Sequence, residues 1–309
     1  MRILLMCSHR YYAPYTDYVA PFVYEQMQGL KQLGCEFSIC FVKGGGLKAY
    51  IRAWKNMQKL IREFQPDIIH AHYGLCCLVA NLQRNIPVVS TFHGSDINNP
   101  KVRIFSKIAI RLSKMNIFVS EQLYDIANKP NNAIIVPCGV DSSLFCYHDK
   151  LEARRQLGWE ENKRYVLFSK MFTDPIKNYP LAKAAIDYLK NVELVEFIGY
   201  TRQKSVLLFN AVDAVIMTSF TEGSPQFIKE ALACNTPIVS VNVGDVATLI
   251  DSVDNCFLCP YDAINLANAL DKIFKNNRRT DGCNQIYKLE LDNQTIIRKI
   301  KNVYDQVVN

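Results

Sequence analysis

The chain has 309 residues, enough for two domains that each bury a hydrophobic core. Its content of 49% hydrophobic and 21% charged residues indicates a soluble globular protein and excludes a disordered or fibrous chain. No apolar run reaches the length of a membrane-spanning helix, and residues 2–7 are too short for the apolar region of a signal peptide. The eleven cysteines lack a disulfide-framework spacing, which favours reduced thiols in a cytoplasmic protein.

The excess of basic over acidic residues is confined to the N-terminal half. Residues 1–147 contain 16 Lys and Arg against 9 Asp and Glu, whereas residues 148–309 contain 20 of each. The whole net charge of +7 therefore belongs to the first half. A basic surface on one half indicates that this half meets an anionic partner.

Strand and helix patterns alternate along the first half. Short apolar runs predict strands at residues 2–7, 36–42, 68–70, 87–91, 116–119 and 133–136. The clearest helical patterns lie at 19–33, 47–64 and 101–115. This alternation predicts an α/β domain with a parallel, doubly wound sheet.

A second alternation follows in the other half. It predicts strands at 165–169, 194–198, 213–218, 237–241 and 255–258, and helices at 151–157, near 180–189, near 203–210 and at 264–274. An amphipathic helix ends the chain at 295–308. We therefore predict domains at residues 1–145 and 146–294, followed by a separate helix at 295–309.

Residues 221–231, Thr-Glu-Gly-Ser-Pro-Gln-Phe-Ile-Lys-Glu-Ala, follow a strand that is predicted to be buried. Gly223 permits a sharp turn, Ser224 is a preferred N-cap, and Pro225 is tolerated at the first helical position. The pattern predicts that the amides of residues 226–228 are unpaired at the positive end of a helix dipole, which binds anions.

Two carboxylates flank this anion site, Glu222 in the loop and Glu230 inside the helix. A nucleotide sugar has hydroxyl groups at both ends and phosphates in the middle, so it matches this arrangement. The alternative is an N-capped helix with two surface glutamates. Ligands of open parallel sheets bind outside the carboxyl ends of the strands, where His93, Lys170 and Glu222 are predicted to lie.

Two histidines form an H-x-H pattern, His70 and His72, which is a possible metal pair. A third ligand is missing from any nearby spacing, so structural roles are favoured and we predict no metal site. Asp96 follows His93 closely and is interpreted first as a helix cap.

The run from residue 222 to 246, EGSPQFIKEALACNTPIVSVNVGDV, resembles the family-four retaining glycosyltransferases of the GT-B fold, which carry E-G-x-P-x4-E-A at this place. Three further segments resemble the same family: PDIIHAH at 66–72, HGSD at 93–96 and VPCGVDSSLF at 136–145. The resemblance covers nearly the whole chain. It implies two Rossmann-like domains facing across a cleft, the first for the acceptor and the second for the nucleotide sugar, with the last helix crossing back to the first domain.

The resemblance also implies roles for individual residues. Glu222 would contact hydroxyl groups of the donor sugar and Glu230 the ribose, while His93 would lie near the reacting sugar and phosphate. Lys177 and Lys170 would neutralise the diphosphate, because this family needs no metal and no D-x-D motif is present. The remaining donor-binding candidates are Gly223, Ser224, Pro225, Gln226 and Phe227. No cofactor is implied beyond the nucleoside diphosphate sugar, and we assign no nucleophile.

Two departures from the family pattern concern the phosphate and acceptor sides. Lys170 stands where relatives carry Arg, so the bidentate fork is lost. Asp17 and Tyr18 stand where many relatives carry Gly-Gly before the first helix, so close backbone approach is not expected there. With His72 and Asp96 they form the candidate acceptor-side residues.

These features predict a retaining hexosyltransferase that uses a UDP- or GDP-linked sugar. Its acceptor would be a glycan or lipid-linked saccharide of a bacterial surface polysaccharide such as capsule or lipopolysaccharide. The basic helices at 47–64 and 101–115 are either solvated faces or a contact with the inner face of the cell membrane. A nucleic-acid partner is not expected, because no recognised binding motif accompanies the charge. The alternative functions are a nucleotide-sugar epimerase of similar fold and a catalytically silent nucleotide-sugar-binding module.

Overall fold

The computed structural model describes residues 1–8, 19–198 and 200–308. The chain divides into two compact units. The N-terminal unit contains Met1–Gly139 and Asn293–Asn309, and the C-terminal unit contains Val140–Asp292. None of the helices in the described part of the chain is both long and apolar enough to cross a membrane.

The N-terminal unit is built on a six-stranded parallel sheet. Its strands are β1 (Arg2–Ser8), β2 (Glu36–Val42), β3 (Ile68–His72), β4 (Val88–Phe92), β5 (Met115–Phe118) and β6 (Ala133–Ile135). Their order is β2-β1-β3-β4-β5-β6. The order reverses between β1 and β3, and the loops after such a pair of strands are where open parallel sheets bind ligands.

Helices connect these strands. They are α1 (Pro21–Gln32), α2 (Leu47–Phe64), α3 (Gly74–Asn81), α4 (Ser95–Asn98), α5 (Pro100–Leu112) and α6 (Glu121–Ile126). Cys76 and Cys77 lie fully buried in α3, as expected for small core residues. Alternating residues of β1 enter different hydrophobic clusters, Leu4 one and Ile3 another, so both faces of the sheet are covered.

The C-terminal unit has a five-stranded parallel sheet. Its strands are β7 (Arg164–Phe168), β8 (Val192–Glu196), β9 (Ala214–Met217), β10 (Ile238–Val241) and β11 (Cys256–Cys259). Their order is β11-β10-β9-β7-β8, so the strand order reverses between β7 and β9. Val166 and Ile216 enter one hydrophobic cluster and Leu167 and Val215 another, which places packed side chains on both faces.

The helices of this unit alternate with its strands. They are α7 (Lys150–Leu157), α8 (Tyr179–Asp187), α9 (Arg202–Ala211), α10 (Gln226–Ala233), α11 (Val246–Leu249), α12 (Ala263–Asn276) and α13 (Gly282–Lys288), with a 3₁₀ turn at Pro175–Lys177. The alternation predicted from the sequence thus appears in both units.

The last helix, α14 (Asn293–Val308), packs on the N-terminal unit. Its buried side chains, Ile296, Ile297, Ile300, Val303, Tyr304 and Val307, belong to the same hydrophobic cluster as Ile3 and Ile68 of the sheet. Gly29 in α1 makes room for it, because a side chain at that position would collide with Ile297. The helix at the end of the chain therefore completes one face of the first sheet.

Replacing Ile300 by Ala should destabilise the N-terminal unit by about 2–5 kcal/mol, because the lost side chain leaves a cavity against the sheet. Urea unfolding can be followed by Trp54 fluorescence in a Trp159→Phe background, since Trp159 lies in the other unit. Arg298→Ala, an exposed change on the same helix, is the control. Equal urea midpoints for the two variants would mean that α14 does not pack as described.

Candidate functional site

Two loops of the C-terminal unit meet at the point where its strand order reverses. One follows β7 and contains the turn Asp174–Asn178, and the other follows β9. The Thr218 hydroxyl lies 2.9 Å from the carbonyl oxygens of both Lys177 and Asn178 and donates to them. The Phe220 amide donates to the Ile176 carbonyl at 2.9 Å. The end of β9 therefore fixes the position of the turn after β7.

Lys177 and Glu222 form an ion pair between these loops. The Lys177 Nζ lies 2.5 Å from the Glu222 Oε1. The two side chains are 16% and 14% exposed, so the pair is largely withdrawn from water. Both residues were predicted from the sequence, and the structure brings them together.

The loop before α10 differs from the prediction. Pro225, not Ser224, occupies the N-cap position, and no side chain caps the helix. The Ser224 hydroxyl donates instead to Asp245 Oδ2 at 2.5 Å. The Ile228 amide donates to the Pro225 carbonyl at 3.2 Å, so it is not one of the unpaired amides predicted at this helix end. The predicted cap was wrong because a carboxylate from another loop takes the hydroxyl.

Asp245 and Lys229 were not singled out from the sequence. Asp245 begins α11 after β10, at the same sheet edge as Glu222, which is the signal that could have found it. Burial raises the pKa of Asp245, while Lys229 and the Ser224 hydroxyl act in the opposite direction. Lys229 is fully buried in α10 and donates to the Gln226 side chain at 3.2 Å. A buried cation and a buried carboxylate thus lie next to the loop before α10.

Glu230 is almost completely buried and paired with Arg202 of α9. The Arg202 Nη1 lies 2.6 Å from the Glu230 Oε1, and its guanidinium stands over the Phe145 ring at 4.4 Å. This arginine partner was not predicted from the sequence. The ribose contact implied for Glu230 stays a prediction.

The other donor-side candidates have different surroundings. The Lys170 Nζ lies 3.9 Å from Asp174 Oδ2, beyond hydrogen-bonding distance, and its side chain is half-exposed. Phe227 packs with Phe197 and Phe209 in the core at ring distances of 5.6 and 5.4 Å. Phe227 therefore contributes its ring to the core, and Lys170 lies near the carboxylate of Asp174.

The N-terminal unit brings three histidines together at the carboxyl end of β3 and β4. His72 Nδ1 lies 2.9 Å from His93 Nε2. His70 contacts the hydroxyl groups of Tyr304 and Thr91 at 2.5 and 2.7 Å. Residues 1–8, 19–198 and 200–308 contain no group of three or more His, Cys, Asp or Glu that could hold a metal ion. His70 and His72 form hydrogen bonds with different side chains, His70 with Tyr304 and Thr91, and His72 with His93.

Asp96 organises the loop that carries His93. It lies in the first turn of α4, where Gly94 holds the N-cap position, so its interpretation as the cap residue is corrected. Its carboxylate accepts the backbone amides of His93 at 3.1 Å, Gly94 at 2.9 Å and Gly74 at 3.2 Å. Burial raises the pKa of Asp96 to about 6, although the three amides lower it. Asp17 and Tyr18 lie outside the described residues.

Two family models match the chain. The model described as Glycosyltransferase Family 4 matches residues 37–144, and the model described as Glycosyl transferases group 1 matches residues 174–276. The second match contains Lys177, Glu222 and Glu230. The first match lies mainly in the N-terminal unit, and the second lies within the C-terminal unit.

A curated relative is the putative teichuronic acid biosynthesis glycosyltransferase TuaC of Bacillus subtilis. It is 26% identical over 243 residues, which cover 68% of this chain and 62% of TuaC. The matched part is therefore less than two thirds of that relative's length.

Solved structures show the same fold. Sucrose-phosphate synthase from Thermosynechococcus elongatus has a TM-score of 0.84 and 17% identity, covering 99% of this chain and 98% of that one. HepE from Anabaena, solved in complex with UDP, has a TM-score of 0.77 and 17% identity, covering 99% and 100%. These likenesses, with two parallel sheets and interleaved helices, confirm the expected α/β GT-B fold class.

A substitution at Gly244 tests the contact between its backbone and the loop before α10. Its φ of +59° favours glycine, and a Cβ there would lie 2.8 Å from the Gly223 carbonyl oxygen. Gly158 has a φ of +70° and no atom within 4 Å of a Cβ, so it is a matched control. Gly158→Ala should cost about 1–2 kcal/mol, the ordinary strain of this backbone region.

Gly244→Ala should cost more than that and should speed hydrogen exchange of amides 222–224, measured by mass spectrometry. Equal stability and equal exchange in the two variants would contradict the contact between Gly244 and the Glu222–Gly223 backbone.

Proposed function

We propose that the protein is a metal-independent, retaining hexosyltransferase that takes its sugar from a nucleoside diphosphate sugar. The observation that carries the proposal is the Lys177–Glu222 pair at the strand-order reversal of the C-terminal unit. This is where parallel α/β sheets bind ligands, and a glycosyltransferase model spans both residues.

The pair provides the two chemical groups that such a donor needs. Lys177 supplies a cation for the diphosphate, whose negative charge grows as the glycosidic bond breaks. Glu222 supplies an acceptor for sugar hydroxyl groups, which exchange with its bond to Lys177 when the donor binds. Catalysis then consists of placement and leaving-group stabilisation, and no protein nucleophile is required. HepE has been solved with UDP-glucose, which supports a UDP-linked donor here.

The acceptor is proposed to bind the N-terminal unit. Its basic excess suits an anionic or lipid-diphosphate-linked saccharide. TuaC is named for teichuronic acid biosynthesis, which supports a role in a bacterial surface polysaccharide. We further propose that the protein works in the cytoplasm at the inner face of the membrane.

A thermal-shift screen with UDP-, GDP- and ADP-sugars tests the donor. A donor present at 100 times its Kd should stabilise the protein by about 2.7 kcal/mol. Lys177→Ala should remove this shift for the matching donor and lower kcat roughly 100-fold or more, because the leaving diphosphate loses its cation. Transfer is measured as labelled sugar joined to an acceptor glycan.

Lys183→Ala is the matched control, since Lys183 pairs with Asp187 on the exposed face of α8. It should leave both the shift and the turnover unchanged. Conversion of the donor without any acceptor would identify an epimerase instead. Nucleotide binding with neither transfer nor hydrolysis would identify a silent binding module, and wild-type turnover by Lys177→Ala would reject the site.

The surface of α5 supports the proposed membrane contact. Ile104 is 63% exposed, and Phe105 and Ile108 are each 43% exposed. The helix also carries Lys101, Arg103, Lys107 and Arg111 and has no acidic residue. Apolar side chains flanked by cations are the pattern of helices that lie in the interface of an anionic bilayer.

Changing Ile104, Phe105 and Ile108 together to Ser should abolish co-sedimentation with phosphatidylglycerol-containing vesicles, because the side chains that would enter the bilayer are removed. A control triple variant changes the exposed Tyr188, Leu258 and Ile264 of the C-terminal unit to Ser and should bind like wild type. Wild-type protein that does not sediment with these vesicles, or an α5 variant that still does, would exclude α5 as the membrane contact.

A further inference from the structure

Three histidine rings lie side by side at the carboxyl edge of the first sheet. His70 and His72 are fully buried on β3, with ring centroids 4.3 Å apart. His93 follows β4, and its Nε2 lies 2.9 Å from His72 Nδ1. A hydrogen bond between two ring nitrogens contains one proton. The ring that supplies this proton determines whether His93 can act toward a ligand as a hydrogen-bond donor or as a base.

The surroundings of His72 select its tautomer. Burial lowers its pKa to about 3, so the ring is neutral and carries one N–H. Its Nε2 is buried and makes no hydrogen bond within the described part of the chain. An N–H at Nε2 would be a buried donor without an acceptor, which is rarer in proteins than an unused acceptor. The proton therefore belongs on Nδ1, facing His93.

We propose that His72 donates its Nδ1–H to His93 Nε2 and thereby holds His93 in the Nδ1–H tautomer. His93 Nε2 is then occupied as an acceptor and does not take a proton from a ligand. The Nδ1–H points to the side where Cys138 Sγ lies at 3.7 Å. Sulfur is a weak acceptor, so a ligand oxygen is the better partner for this N–H. His93 is a hydrogen-bond donor rather than a general base, and its use in sugar transfer rests on the proposed function.

The loop that carries His93 is held in place by a backbone hydrogen bond and by ring contacts. The His93 amide donates to the Asp96 carboxylate, and the His93 ring contacts the rings of Phe22 and Tyr73 at centroid distances of 5.0 and 4.8 Å. His70 imposes no comparable restriction, because its partners are hydroxyl groups that both donate and accept. His72 is thus the positioning residue, and His93 is the residue it positions.

Nitrogen-15 NMR measures the tautomers directly. The chain has five histidines, so each ring can be assigned with single substitutions. In the wild-type protein we expect a protonated Nδ1 and a bare Nε2 on both His72 and His93. A protonated Nε2 on His93 would overturn the proposal, and this outcome does not depend on any enzymatic activity.

His72→Phe tests whether His72 is the cause. It keeps an aromatic ring beside His70 but removes the donor. The His93 signals should move toward the Nε2–H tautomer that free histidine prefers, while His148 of the C-terminal unit stays unchanged as the reference. A His93 ring that keeps its Nδ1–H in this variant would contradict the proposal. If the variant does not fold, the wild-type spectrum still decides.

A double substitution shows whether His72 acts through His93. His72→Phe combined with His93→Phe should lower kcat/KM by the same factor as His93→Phe alone, within about twofold. Fully additive losses would show that His72 acts independently, contrary to the proposal. A wild-type protein without transfer activity would refute the proposed function, while the tautomer assignment would still be judged by NMR.

Discussion

The hydrogen bonds at the end of β9 are the constraint on which the C-terminal unit's site depends. Thr218 binds two carbonyl groups of a turn that lies about 40 residues earlier in the chain. Lys177 and Glu222 meet because these bonds hold their two loops next to each other. The turn has a separate fixed point in Asp174, whose side chain accepts the Ile176 amide at 3.0 Å. The ion pair therefore depends on the hydrogen bonds that Thr218 and Asp174 make at the ends of neighbouring strands.

Most of the fold could be predicted because both sheets are parallel and covered on both faces. Strands of that kind are continuous apolar runs, and β4 and β10 were found within one residue at each end. The strand predicted at 194–198 lies at Val192–Glu196, because β8 is an edge strand. Its register is set by pairing with β7, where Val192 lies opposite Arg164, and not by its own hydrophobic pattern.

Only those parts of the candidate site that depend on residues close together in the sequence could be predicted. Lys177 and Glu222 follow strand ends in a recognisable motif, and the structure joins them. The partners of Ser224 and Glu230 come from loops and helices elsewhere in the sequence. The N-cap propensity of serine reflects the hydrogen bond between its hydroxyl group and nearby backbone amides. It does not take account of a buried carboxylate on the loop after β10 that binds the same hydroxyl group. Tertiary contact overrode a correct local preference.

His70 and His72 are a second case in which contacts with distant parts of the chain, and not the local sequence, determine the role of a side chain. The two-residue repeat of a strand places both on one face, which fits a metal pair and fits two unrelated hydrogen-bonding roles equally well. The roles of the two histidines differ because the neighbouring elements offer them different hydrogen-bonding partners. Tyr304 on α14 offers His70 a hydroxyl group that adapts to either tautomer, whereas His93 offers His72 a ring nitrogen that does not. The same side chain is therefore a passive core residue at one position and a determinant of protonation two residues later.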